Sequence, residues 1–288
     1  MKPVILSVGN CLVEYFLGGV RDLSVGTEYF EYVASRGGAA LGREPLDPQI
    51  LARCRLLIEE TSPWQRMLSG DERAQLPATC KRITVPTLHV NSLWPLMVAD
   101  PRNKPIPPVM PWGVIPFTHG DRLALDIMER EADPARRLEA YLATDLSTVV
   151  DLARHHQLSV DSMFAAEAGC DVRVAAYVVS NFREKRLFYM QNHASSELMG
   201  FALLQILGHP AILEISGRPL HEAVESVEAW KERNLAALAT EAAPIHPAVA
   251  AYFDLKWYRA DLRYPWQHIE YTFEQWLEFY FAYEAPAS

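Results

Sequence analysis

Seven of the chain's twenty prolines fall between residues 95 and 116, in "PLMVADPRNKPIPPVMPWGVIP". Proline fixes its own φ and has no N–H to give to a helix or a ladder, so this stretch is neither regular helix nor central strand. It is a long, shaped loop that separates two parts of different character. Loops of this length inside compact domains commonly carry function. Val109, Met110, Trp112, Val114, Ile115 and Phe117 give it apolar surface to bury, and we read it as the wall of a pocket. The expected organisation is one domain over 1–288, with an α/β part over 1–94, the pocket loop over 95–120 and a mainly helical part over 121–288.

The first part opens on "VILSVGNC", residues 4–11. Val4, Ile5, Leu6 and Val8 form a short apolar run rich in β-branched residues, which reads as a buried strand. Gly9 lets the chain turn into a following helix, and Asn10 and Cys11 then stand at the carboxyl edge of the strand, where open α/β sheets place their ligands. A thiol at a helix start meets free N–H groups that favour the thiolate; the alternative is a small buried hydrophobe. Further on, a short helix is expected from Pro48, a strand over 56–59, a capping box at Ser69 and Glu72 before another short helix, and a strand broken at Pro86. This alternation is that of a small α/β layer.

After residue 121 the pattern turns helical. "DRLALDIMEREA" is followed by two or three helices between 145 and 182, separated at Leu158-Ser159 and at Gly169. The strand-like "RLFYMQ" leads into "NHASSELMGFALLQILGH", a helix with Ala194 or Ser195 near its start and Gly208 at its end. "HEAVESVEAWKERNLAALATEA" and the aromatic "YTFEQWLEFYFAYE" complete the series.

The formal net charge of −9 offers no basic footprint for nucleic acid. No run is apolar enough to span a bilayer, and the start lacks a secretory cleavage pattern, so the expected location is cytoplasmic. Cys11, Cys54, Cys80 and Cys170 are too widely spaced for a zinc site or a disulfide framework, and no metal is expected. P-loop and dinucleotide fingerprints are missing, as is a GxSxG elbow. "HHQLSVD" and "NHASSE" each fail the acyltransferase motif they approach, because the acidic residue is misplaced or missing. The start is similar to the Gly-Asp-Ser of SGNH esterases, with Cys11 in place of the serine, but no late Asp-x-x-His completes that scheme.

Taken in order, "ILSVGNCLVEYF", "ITVPTLHVNSLWP", "RLFYMQNHASSELMGFALLQIL", "HPAVAAYFDLKWYRADLRYPW" and "YTFEQWLEFYF" resemble the WcbI-type family of capsular-polysaccharide biosynthesis proteins, regarded as acetyltransferases that bind coenzyme A. The resemblance spans nearly the whole chain. It departs at Leu12, where the family's Gly-Asn-Cys pattern continues with Gln. It implies an α/β N-terminal subdomain, a small mostly parallel sheet with an SGNH-like start, embedded in a predominantly α-helical single domain with a cofactor cleft. It also implies coenzyme A or acetyl-CoA as cofactor, a sugar or glycan as acceptor, and other polysaccharide-pathway enzymes as partners.

Acetyl transfer to a hydroxyl needs a base, donors for the oxyanion and a slot for the pantetheine and phosphates. Cys11 is the candidate acyl acceptor or a neighbour of direct transfer, His193 the candidate base, and Asn10 the oxyanion donor or simply a helix cap. Gly9, Leu12, Asn91, Trp94, Trp112, His119, Arg122 and Asn192 are the candidate cofactor contacts. Arg259 and Arg263, set among aromatics, are either a sugar platform or packing. Two rivals stay open: a cysteine esterase or thioesterase, and a non-catalytic protein that binds coenzyme A or glycan.

Overall fold

The computed structural model describes residues 1–10, 12–23, 28–36, 44–61, 67–102, 117, 119–216, 220–234, 241–266 and 269–283. Cys11, Trp112 and most of the proline-rich loop lie outside the described residues.

The chain begins β1 (Val4–Gly9), α1 (Val13–Leu23), β2 (Glu31–Arg36), α2 (Pro48–Ala52), β3 (Cys54–Thr61), α3 (Gly70–Ala74) and β4 (Lys81–Pro86). It continues with β5 (Met97–Val98), β6 (Gly120–Asp121), α4 (Arg122–Met128), α5 (Pro134–Ala143), α6 (Leu152–Glu167) and α7 (Ala175–Asn181). The last elements are β7 (Phe188–Met190), β8 (His193–Ala194), α8 (Ser196–Leu207), α9 (Pro210–Ser216), α10 (Leu220–Arg233), α11 (Pro247–Phe253), β9 (Tyr264–Trp266), β10 (Ile269–Tyr271) and α12 (Phe273–Ala282). Two compact units divide it: Met1–His89, Asp161–Asn181 and Asn192–Leu238 form the first, and Val90–Val160, Phe182–Gln191 and Ala239–Ser288 the second.

The first unit is built on a four-stranded sheet in the order β2-β1-β3-β4, with every neighbouring pair parallel. β1 is buried along its whole length, which explains a continuous apolar run rather than an alternating one. Val4, Leu6 and Val8 pack with Leu51, Leu57, Met67 and Leu68 on one face. α1 covers β1 and β2 and meets α8, burying Val13, Phe16, Leu17 and Val20 at helical spacing. Gly19 lets the two helices approach, since a Cβ there would run into the Leu203 side chain.

Short helices carry the caps that the residue types announce. Asp47 accepts from Gln49 N at 2.8 Å ahead of Pro48. Ser69 and Glu72 close a reciprocal box, at 3.1 and 2.8 Å. Two elements depart from the sequence expectation. β2, "EYVASR", is a partly exposed edge strand without a clear hydrophobic period, so nothing in its pattern announces it. α6 runs unbroken through Leu158-Ser159: the Ser159 hydroxyl accepts from Asn91 N and Ser92 N at 2.9 and 3.2 Å, so it does not compete for its own helix backbone.

The second unit is held by aromatic packing. Phe117 sits at the centre, with the Tyr280 ring 4.6 Å away edge-on and Trp276, Trp266 and Tyr283 around it. Among the described residues no helix is long and apolar enough to cross a membrane, and no group of three or more His, Cys, Asp or Glu could hold a metal.

Candidate functional site

The chain passes from β1 to β2 on one side and returns to β3 on the other. The crevice outside the carboxyl ends of β1 and β3 is therefore the topological switch point, where doubly wound sheets bind ligands. Gly9 and Asn10 end β1 there, and Glu60 and Thr61 end β3.

Glu60 is 5% exposed. Its Oε2 accepts from Asn10 N at 2.7 Å and its Oε1 from Asn10 Nδ2 at 2.9 Å. Burial pushes this carboxyl above its ordinary value, while the Asn10 N–H and the Thr87 hydroxyl pull it back. Asn10 Oδ1 in turn accepts from Leu12 N at 2.9 Å, the local turn by which an Asn starts a helix. Asn10 thus braces the turn ahead of α1 and is held by Glu60 at once.

Gly9 is set by space. A Cβ at this position would lie 2.5 Å from Glu60 Oε2 and 2.5 Å from Val13 Cγ1. Gly9→Ala is expected to force Glu60 off Asn10 and to destabilise the protein by about 1–3 kcal/mol, the usual cost of overpacking. A thermal melt unchanged from wild type would contradict this geometry.

The other residues selected in sequence fall as follows. Leu12 is 1% exposed, so its side chain belongs to the core, and its carbonyl accepts from Tyr15 N and Phe16 N at 3.1 Å each. Asn192 and His193 lead into α8, whose first turn Ser195 caps. Asn192 Oδ1 is buried and has no hydrogen-bond partner among the described residues; His193 Nδ1 is shielded from solvent. In the second unit, Trp94 donates from Nε1 to Ala243 O at 3.1 Å. Arg122 reaches Val149 O at 3.2 Å. Asn91 holds Trp94 N and His155 Nε2 on its carbonyl, at 2.9 and 3.1 Å, and its Oδ1 is buried with no partner among the described residues.

Trp94 and His119 line one cavity of about 50 Å³ with Asp121, Tyr141, His246 and Trp276. Burial raises the Asp121 carboxyl to about 6 against the pull of Ala124 N and the Tyr141 hydroxyl, which donates to it at 2.8 Å. Burial lowers His246 to about 4. Asn91 and Arg122 are not among the lining residues.

Glu60 is the residue that the sequence reading passed over. Its signal was present: two acids, Glu59 and Glu60, follow the apolar run Leu56-Leu57-Ile58 near the end of the strand. In the structure they point to opposite faces. Glu59 pairs with Arg73 and Arg82 at 2.5 and 2.7 Å, and Glu60 holds Asn10.

A parallel sheet whose first strand ends at the switch point in a clamped Gly-Asn turn defines an α/β protein. The chain belongs to the WcbI family of polysaccharide biosynthesis enzymes, whose model matches residues 6–212. A solved structure of WcbI, described as a novel polysaccharide biosynthesis enzyme in its native form without a disulfide bond between coenzyme A and one of its cysteines, is similar in fold. It is 18% identical, with a TM-score of 0.69 over 98% of this chain and 90% of that one. No curated protein gives a significant match.

Proposed function

We propose that this protein is a coenzyme A-dependent O-acetyltransferase acting on a sugar or glycan precursor of a surface polysaccharide. The observation that carries the reading is the Glu60-clamped Asn10 turn at the switch point, with a cysteine as its next residue. Family membership supports the pathway, and the description of the WcbI structure, which names coenzyme A beside a cysteine, supports the cofactor.

The residues suit such a ligand. Asn192 Oδ1 is a buried acceptor without a partner among the described residues, matched to an amide N–H of a pantetheine arm. Acetyl-CoA supplies an acetyl group activated as a thioester. In this reading Cys11 takes that group and leaves the coenzyme as its thiol; the sugar hydroxyl then attacks, giving its proton to His193 and releasing the cysteine. Asn10 already holds the first N–H groups of this turn, Leu12 N on its Oδ1 and Val13 N on its carbonyl. Asn10 is assigned the task of holding that turn, since its side chain is engaged by Glu60 and Leu12.

Calorimetry with coenzyme A and acetyl-CoA, followed by intact mass, tests the reading. Wild type is expected to bind both and to gain one acetyl group from acetyl-CoA, and Cys11→Ala to bind without gaining it. Binding without an adduct would replace the covalent route by direct transfer. Absence of binding to either ligand would overturn the coenzyme A reading and favour a cysteine esterase.

A further inference from the structure

Arg186 precedes β7 in the second unit, and its guanidinium is enclosed by rings. Its central carbon lies 4.9 Å from the Tyr189 ring centre, 5.6 Å from Tyr264 and 5.8 Å from Trp257. Trp257 is itself anchored, its Nε1 donating to Phe182 O at 2.8 Å. The aromatic faces answer the positive charge. They do not answer the N–H groups: Nε and Nη2 are both buried with no hydrogen-bond partner among the described residues. Burial works against the charged form here, yet a guanidinium stays protonated in proteins.

The same unit contains a filled counterpart. Arg102 also lies against aromatic rings, 4.2 Å from that of Tyr280. There Nε and Nη2 grip the two oxygens of Asp100, at 3.0 and 2.6 Å, and Nη1 donates to the carbonyls of Tyr280 and Tyr283. Nε–H and Nη2–H are the parallel pair of the arginine fork, spaced to match two coplanar oxygens. In Arg102 the chain supplies those oxygens. In Arg186 it supplies the cation, the aromatic walls and the fork, and no acid among the described residues pairs with it.

We propose that Arg186 is the receptor for an oxyanion, a carboxylate or a phosphate, whose two oxygens accept from Nε–H and Nη2–H within the ring of Tyr189, Trp257 and Tyr264. The site does not depend on the acyl-transfer reading. It also separates Arg186 from the two arginines that the sequence picks out nearby. Arg259 is exposed and reaches Asp261 at 3.5 Å, and Arg263 donates to Gln275 at 3.0 Å.

The test is a set of thermal melts of wild type and Arg186→Met at constant ionic strength, in chloride, with inorganic phosphate, and with glucuronate. Methionine keeps the stem against the rings and removes the buried cation. In chloride the variant is expected to melt at or above the wild-type temperature. Wild type is expected to gain about 5 °C at an anion concentration a hundred times its dissociation constant, and the variant to gain nothing. A gain with phosphate alone assigns a phosphate group, and a gain with glucuronate alone a carboxylate. Equal gains in both proteins, or none in wild type with either anion, would overturn the proposal. So would a variant that melts well below wild type in chloride, because the rings alone would then be satisfying Arg186.

Discussion

Glu60→Ala is expected to lower the stability of the protein by about 3 kcal/mol, equivalent to a fall in melting temperature of roughly 5 °C. The effect is large because the substitution removes one acceptor group and strands two donors. Asn10 N and Asn10 Nδ2 both point at the carboxylate, at 2.7 and 2.9 Å, and a buried donor left unmatched carries its full desolvation cost. Glu60→Gln keeps the shape and one acceptor but turns an NH2 toward a donor, so an intermediate loss is expected. The pH dependence has a definite sign. The folded carboxyl sits above its ordinary value of 4.5, so the native state holds the proton to higher pH than the unfolded chain does. The contribution of this group to stability is therefore greatest below 4.5 and falls as pH rises through the raised value. Denaturant melts across that window should show the fall in wild type and not in Glu60→Gln. Identical slopes in the two proteins would show that Glu60 does not titrate between the folded and unfolded states.

His193→Ala is expected to leave coenzyme A binding and the acetyl adduct on Cys11 in place and to slow discharge to a hydroxyl acceptor by about 10²–10⁴-fold, the usual contribution of a positioned base. The readout is the lifetime of the acetylated protein by intact mass, with and without a panel of sugars. In wild type the adduct should be short-lived with the right sugar; in the variant it should persist. Imidazole in the buffer should restore part of the discharge, which a merely structural histidine would not show. A variant that discharges at the wild-type rate would remove His193 from the reaction. His193 precedes an α8 already capped by Ser195, so the substitution leaves that cap intact.

Much of the first unit was legible because its signals are local. Val4 to Val8 read as a buried strand because both faces of the sheet are covered. Ser69 and Glu72 read as a helix start because a capping box is written in four residues. The strand over 31–36 was not legible: an exposed edge strand lacks a hydrophobic period, and pairing with β1 decides it. The break expected at Leu158-Ser159 failed because Ser159 found backbone partners in the loop at Asn91 and Ser92. Trp94 and His119 were selected as cofactor contacts for their chemistry, and only the packing of the second unit brings the two to one cavity.

From the sequence alone came the strand that ends in Gly-Asn-Cys, the family that carries that ending, and the helical character of the second half. All three rest on short-range patterning, which neighbouring residues determine. The tertiary structure alone decided which side chains meet at the ending. Glu60 stands fifty residues from Asn10, and only the parallel pairing of β1 with β3 sets its carboxylate beneath the turn. The same holds for Arg186 and its rings, which come from segments separated by some seventy residues and have no shared period to betray them. Long-range register is a property of the packed sheet and core, and no window of the chain contains it.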